Sequence, residues 1–228
     1  MAKPLDLQEQ EQLDDIKHFW KKYGNLITWV MIVVFGSIAA WNGWQYWQRS
    51  QALQASAIYD EMDRAAQAGD LARVDRAFAD LKDKFARTSY APQAGLVAAK
   101  AQFDKGNTDA AKASLTWVVE QGRDEGHQAV ARLRLAAIAI EAKAYDEALK
   151  HLSATFPAAF AALVADRRGD VLQLQGKKAE AKAEYIKAYA AFEDRSEYRR
   201  MVEIKLTALG GDVRPPADAP AAAAAAKP

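Results

Sequence analysis

GDVLQLQGKKAEAKAEYIKAYA, residues 169–190, decides the fold, because its small and large residues fall where two packed helices need them. Gly169 and Ala181 are small enough for two antiparallel helices to approach closely, and Gly176 stands where the first must stop. Tyr185 is large enough to fill the gap between neighbouring helix pairs, and Ala188 is small again. The same grammar recurs upstream. In AAIAIEAKAYDEALKHL, residues 136–152, the small residue is Ala148 and the large one Leu152. In AAKAQFDKGNTDAAKASL, residues 98–115, they are Ala111 and Leu115, with Gly106 at the turn. Ala148 precedes Ala181 by 33 residues and Ala111 precedes Ala148 by 37, the surplus being absorbed in the loop QGRDEGHQ, residues 121–128.

A period near 34 residues with this spacing is that of a tetratricopeptide repeat. Residues 51–209 are rich in Ala, Leu, Lys, Glu and Gln, with apolar residues at three- and four-residue spacing, so they are helical nearly throughout. A weaker hairpin covers about residues 54–85 and turns at Gly69-Asp70. Residues 196–209 form an amphipathic cap whose Tyr198, Val202 and Leu206 or Leu209 cover the last hairpin. The expected fold is all-α: one N-terminal transmembrane helix, then a tetratricopeptide-like right-handed α-solenoid of three to four helical hairpins. The competing reading is a non-repetitive helical bundle.

The transmembrane expectation comes from residues 23–48, a run of 26 without a charge whose centre reads LITWVMIVVFGSIAAW. Residues 26–46 cover about 31 Å as a helix, close to the hydrocarbon thickness of a bilayer. Trp20 and Tyr23 mark one end, and Trp41, Trp44 and Trp47 the other, the depth where an apolar ring with a polar tip is most comfortable. Lys17, Lys21 and Lys22 precede the run and only Arg49 and Arg64 follow it closely, which puts the N-terminus in the cytoplasm and the rest outside. A cleaved signal peptide is the rival, with a small-x-small site at Ala55-Ser56-Ala57. The long acidic leader, the long apolar core and the distance to that site argue instead for an uncleaved anchor. The expected organisation is a cytoplasmic segment at 1–22, the membrane helix at 23–48, a periplasmic repeat domain at 49–209 and a disordered Pro/Ala-rich tail at 210–228.

Composition excludes several classes of function. Four lysines and five acids precede Arg49, leaving 27 of the 31 basic and 25 of the 30 acidic residues beyond them. So balanced a surface predicts no nucleic-acid partner. The chain has no Cys, which removes disulfides, thiolate metal sites and thiol nucleophiles. His18, His127 and His151 have no partner at metal-ligand spacing and read as surface residues. No phosphate loop and no distinguishable acid/base pair is visible, so an enzyme, a cofactor and a small-molecule substrate are not expected.

What remains is surface. Aligning the repeats places Lys100, Phe103, Asp166, Asp170 and Gln173 near the concave face made by the first helix of each pair. Against this, Phe103 reads equally as core, and Asp166 and Asp170 as members of an ion network with Arg134, Arg167 and Arg168. Lys177, Lys178, Lys182 and Lys187, interleaved with Glu180 and Glu184, read as a solvated face. Gly36, Ser37 and Ala40 offer a small-residue patch for a second membrane helix.

Taken together, EQLDDIKHFWKKYGNLITWV (residues 11–30), WNGWQYWQRSQALQASAIY (41–59), ARLRLAAIAIEAKAYDEALKHL (131–152), FAALVADRRGDVLQLQGKKAEAKAEY (160–185) and YRRMVEIKLTALG (198–210) resemble the YfgM-type family. These are single-span bacterial inner-membrane proteins with a periplasmic tetratricopeptide-like domain. The resemblance runs from about Glu9 to Gly210 and implies an ancillary subunit of the Sec translocon. Such a subunit associates with the channel and with periplasmic chaperones for exported proteins. Two alternatives stay open: a periplasmic holdase that binds unfolded clients directly, and a membrane-anchored regulator whose acidic residues 6–15 meet a cytoplasmic partner. A holdase would need an exposed apolar groove, and charges rather than a Met- or Phe-rich stripe stand out in the sequence.

Overall fold

The computed structural model describes residues 7–193 and 196–211. The expected tail at 210–228 therefore lies outside the described residues except at Gly210 and Gly211, as do residues 1–6. Among the described residues the regular structure is helical: α1 (Leu7–Gln67), α2 (Leu71–Lys84), α3 (Tyr90–Asp104), α4 (Thr108–Gln121), α5 (Glu125–Glu141), α6 (Tyr145–Leu152), α7 (Ala161–Leu174), α8 (Lys178–Ala191) and α9 (Glu197–Ala208), with a short 3₁₀ turn at Ala158–Phe160. The chain falls into two compact units divided between Gln54 and Ala55.

Among the described residues the first unit is helix alone. Leu26 is 63% exposed, Phe35 60% and Trp41 64%, and Val30, Val33 and Ile38 are exposed with them. These residues point in every direction around the axis, so no single protein face could cover them. Thr28 and Ser37 return their hydroxyls to the carbonyls of Gly24 and Val33, at 2.8 and 2.7 Å, so these two hydroxyls are satisfied within the helix. Among the described residues, α1 is the one helix long and apolar enough to cross a membrane.

The second unit is a row of helix pairs: the end of α1 with α2, then α3 with α4, α5 with α6, and α7 with α8, closed by α9. Each pair turns through a residue with positive φ: Gly69 (70°), Gly106 (82°), Lys143 (59°) and Gly176 (76°). At each turn the helix ends with two reversed bonds. At Gly106 these are Gly106 N–H to the Phe103 carbonyl and Asn107 N–H to the Gln102 carbonyl, both 2.8 Å. Five residues past each positive-φ position stands the small or medium residue that starts the second helix's inner face: Val74, Ala111, Ala148 and Ala181, all 0% exposed. Four residues further come Phe78, Leu115, Leu152 and Tyr185, the large residues that plug the gap to the next pair, all buried. Burying each contributes roughly 1.5–3 kcal/mol. Gly169 is obligatory, since a Cβ there would meet the Tyr185 ring at 2.6 Å. Gly95 does the same for α3, where a Cβ would stand 2.4 Å from Val118 Cγ2. A repeat, not an irregular bundle, is what forms.

Polar groups stitch the pairs where they are buried. Gln102 donates to Asp75 Oδ1 and accepts from the Ser114 hydroxyl, both at 2.8 Å, which ties α2, α3 and α4 together. Asp70 and Asp124 cap α2 and α5 by accepting from the N–H groups of Arg73 and His127. His127 and His151 are less exposed than a surface reading implies. His127 Nδ1 lies 2.9 Å from Asp124, and His151 Nε2 lies 3.8 Å from Glu147, each side chain being mostly covered. Burial pulls the His151 pKa below its ordinary value, with Glu147 partly opposing it.

Candidate protein-interaction groove

The repeat offset fixes which residues of the first helices correspond. Counting back from the turns at Gly176, Lys143 and Gly106, Asp166 matches Leu133 and Leu96, Asp170 matches Ala137 and Lys100, and Gln173 matches Ile140 and Phe103. These rows occupy one face, yet their environments differ.

On α7 the row is occupied by the chain itself. Lys205 of α9 reaches across to Asp166 Oδ1 and Asp170 Oδ1, both at 2.7 Å. Asp166 is 3% exposed, so this carboxylate is part of the interior. The Tyr185 hydroxyl donates to Asp170 Oδ1 at 2.8 Å and lies 2.8 Å from the Gln173 side-chain oxygen. Burial, and then the hydrogen bond and charge of Asp170, raise the Tyr185 pKa well above its ordinary value, so the phenol keeps its proton. Arg167 adds a bond to Asp170 Oδ2 at 3.2 Å. The ion network read from the sequence thus exists, but its hub is Lys205 rather than Arg134. Asp166 and Asp170 hold α9 and are not presented to a partner; Gln173 is the exposed member. Glu184 is another correction: it is 7% exposed, with Lys187 Nζ at 2.7 Å, not part of a solvated face. In the cap, Val202 and Leu206 are buried as the amphipathic pattern requires. Tyr198 is 49% exposed and stacks on Phe192 instead.

Between α3 and α5 the same row is open. Lys100 and Phe103 line a groove of about 320 Å³, floored by Ala99, Leu115 and Ile138 and walled by Ala137. Leu115 and Ala99 are buried, Phe103 is half-buried, and Ala137 is exposed. The rim is charged. Lys100 pairs with Asp104 of its own helix at 2.5 Å. Arg134, exposed overall, donates to the Leu96 carbonyl at 2.7 Å and makes no ion pair among the described residues; partial desolvation pulls its pKa below the ordinary value. Glu141 closes the far end, where a second hollow of about 360 Å³ continues past Phe103 and Ile138 to Gly106 and Thr108. The apolar groove that charge-rich sequence concealed is therefore present: its walls come from three helices, so no single run of sequence displays it. A polar hollow of about 440 Å³ near the first turn is lined by Glu61, Arg64, Asp70 and Arg73, of which Arg73 and Asp70 pair at 3.2 Å.

The aromatics assigned to the membrane boundary all lie on α1 and all face outward: Trp20 is 61% exposed, Tyr23 40%, Trp41 64%, Trp44 50% and Trp47 44%. Trp44 and Trp47 lean on each other with ring centres 5.3 Å apart.

Comparison with known proteins agrees with this architecture. The family described as "Tetratricopeptide repeat-like domain" matches residues 17–211. A Neisseria gonorrhoeae protein named "Ancillary SecYEG translocon subunit" is 30% identical over 204 residues, covering 89% of this chain and 98% of that protein. A Haemophilus influenzae protein of the same name is 30% identical over 182 residues, 80% of this chain and 89% of that one. The Escherichia coli protein of that name is 30% identical over 178 residues, 77% and 84% respectively. No solved structure matches the chain significantly.

Proposed function

This chain belongs to the tetratricopeptide repeat-like family of the ancillary SecYEG translocon subunits, and from that premise we propose that it is a membrane-anchored protein-interaction module of the Sec translocon. Its partners on this reading are the translocon, named in its relatives, and periplasmic chaperones that receive exported chains. The observation that carries the proposal is that one chain has both an apolar helix exposed on every side and a repeat unit with an open apolar groove. Lipid is the environment that suits the first, and a polypeptide suits the second. Binding, with no chemical step, is the whole of this role.

The excess of lysines before the apolar run, at Lys17, Lys21 and Lys22, supports an N-terminus in the cytoplasm and repeats on the periplasmic side of a bacterial inner membrane. The boundaries proposed for the span remain residues 23–48, with the repeat domain at 49–209. Confinement to the membrane raises the effective concentration of partners at the exit of the channel without any added contact.

A photoreactive residue at Trp41 or Trp44 tests this in membranes. Capture of translocon subunits is expected, and capture of lipid alone would overturn the Sec-associated reading. Direct holdase action is the second reading, favoured by the apolar groove. It predicts that the full chain in mild detergent slows aggregation of a denatured client, and an unchanged aggregation rate would dismiss it.

A further inference from the structure

We propose that the cytoplasmic half of the membrane helix holds one anionic phospholipid, its headgroup on Lys22 and Asn25 and one acyl chain on the aliphatic track below them. This rests on the membrane-anchored reading and its orientation, and it gives that anchor a specific ligand.

The site is a single face of α1. Lys22, Asn25 and Trp29 line one open hollow of about 640 Å³ together with Leu26, Val30, Val33 and Val34. Counted from Lys22 they fall at i+3, i+4, i+7, i+8, i+11 and i+12, the pattern of one helical stripe. Polarity is divided along it: from Val30 onward the lining is aliphatic alone. Leu26 to Val34 rises about 12 Å, most of the roughly 15 Å depth of one leaflet's hydrocarbon. The volume is within the range of ligand sites.

The polar tips are donors without acceptors. An ammonium and an indole N–H can only donate, and an amide donates twice. Among the described residues Lys22 has no carboxylate partner, and its ammonium lies 5.3 Å from the centre of the Tyr23 ring. Neither the Asn25 amide nor the Trp29 indole has a hydrogen-bond partner among the described residues. Thr28, by contrast, satisfies its hydroxyl on the Gly24 carbonyl, and at the far end of the span Arg49 donates to Gln45 at 3.4 Å.

A phospholipid supplies what is lacking. Its phosphodiester and ester carbonyls are acceptors, and they lie at the depth where these donors give way to apolar surface. Lys22 reaches the phosphate on its flexible stem, while Asn25 and Trp29 serve the phosphate and the carbonyls beneath it. A neighbouring helix would not serve these groups, because its backbone donors and acceptors are already paired within it. Charge selects among lipids. A zwitterionic headgroup brings its own ammonium beside Lys22 and the exposed Lys21, where like charges repel; phosphatidylglycerol brings none.

The test is native mass spectrometry of the full chain in mild detergent, titrated with phosphatidylglycerol or phosphatidylethanolamine. One phosphatidylglycerol should be retained at least about fivefold more tightly than phosphatidylethanolamine. Lys22→Gln should abolish that preference, and Asn25→Leu should weaken phosphatidylglycerol by about two- to fivefold. Lys21→Gln and Arg49→Gln, outside the hollow, should each stay within about twofold of the parent chain. Equal retention of the two lipids would overturn the proposal. So would a loss in Lys21→Gln as large as in Lys22→Gln, since general surface charge would then suffice. Glycerol phosphate in excess should not displace the lipid; displacement would reveal a site for a free anion and overturn the lipid assignment. A chain that stays in membranes through alkaline extraction yet shows no lipid preference loses the site and keeps the anchor, whereas release into the soluble fraction removes the anchored reading itself.

Discussion

Asp170 near the C-terminal end and Lys100 in the middle hold equivalent places in their repeats, yet one faces a cation of its own chain and the other borders an open groove. At the end of the row, α9 lies where a further repeat would otherwise pack. It completes the interior with Val202 and Leu206 and supplies Lys205 to two carboxylates. In the middle no segment of the described chain plays that part: the face is left apolar at Phe103 and Ala137, beside Arg134, whose hydrogen-bond partner is the neutral Leu96 carbonyl. The lesson is that position in a repeat sets where a side chain points, while what it meets there depends on the neighbour. A polar residue on the shared face is structural where a cap covers it and available for recognition where none does.

The contrast can be broken most forcefully at Lys205. Lys205→Ala leaves the buried Asp166 without its cation, beside an Asp170 that keeps only Arg167, and should cost about 3–5 kcal/mol, read as a lower thermal unfolding midpoint of the full chain in detergent. Arg134→Gln, on the open side, should cost only about 1 kcal/mol, the value of one hydrogen bond to a carbonyl. Comparable losses for the two variants would erase the distinction between a structural and an available charge.

Gly169→Ala comes next. Its Cβ would press on the Tyr185 ring at 2.6 Å and should cost about 1–3 kcal/mol through overpacking at the filled end. Lys143→Gly works in the other direction. Lys143 is the one described non-glycine residue with positive φ, at 59°, in a turn where the other three hairpins use glycine, so the substitution should stabilise by about 1 kcal/mol. A lower midpoint for this variant would mean that the Lys143 side chain does more than tolerate the turn.

The smallest effect expected is with pH. His151 has a pKa lowered in the folded state from 6.5, so folding favours the neutral ring. Its contribution is fully present above about pH 6.5 and is lost as pH falls below that value toward the folded pKa. His151→Gln should flatten this acidic loss of stability in urea titrations between about pH 7 and 5.

The repeat was legible because its signal is local and periodic. Gly169, Gly176, Ala181 and Tyr185 carry their meaning in their size and spacing, and the same spacing found Ala148 with Leu152 and Ala111 with Leu115. The turn at Lys143 was legible in place but not in conformation, since a lysine gives no hint of positive φ. Glu184, His127 and His151 were read as solvated because burial of a polar side chain is set by packing, as where Arg168 of the preceding helix approaches Glu184, and not by the residue's own place in the pattern. For the candidate site, Lys100 and Phe103 could be placed on the right face by alignment. Leu115 and Arg134 stood out only as a core residue and a network partner, and Ile138 not at all; they lie on other helices, so no run of sequence joined them to the groove.

Sequence alone determined an apolar helix long enough for a bilayer and a stack of helix pairs, because both follow from residue size, charge and period along one chain. Only the tertiary structure decided which charges are spent inside and which are left over. That allocation depends on contacts such as Lys205 with Asp166, 39 residues apart, which chain folding brings to 2.7 Å and no local pattern announces.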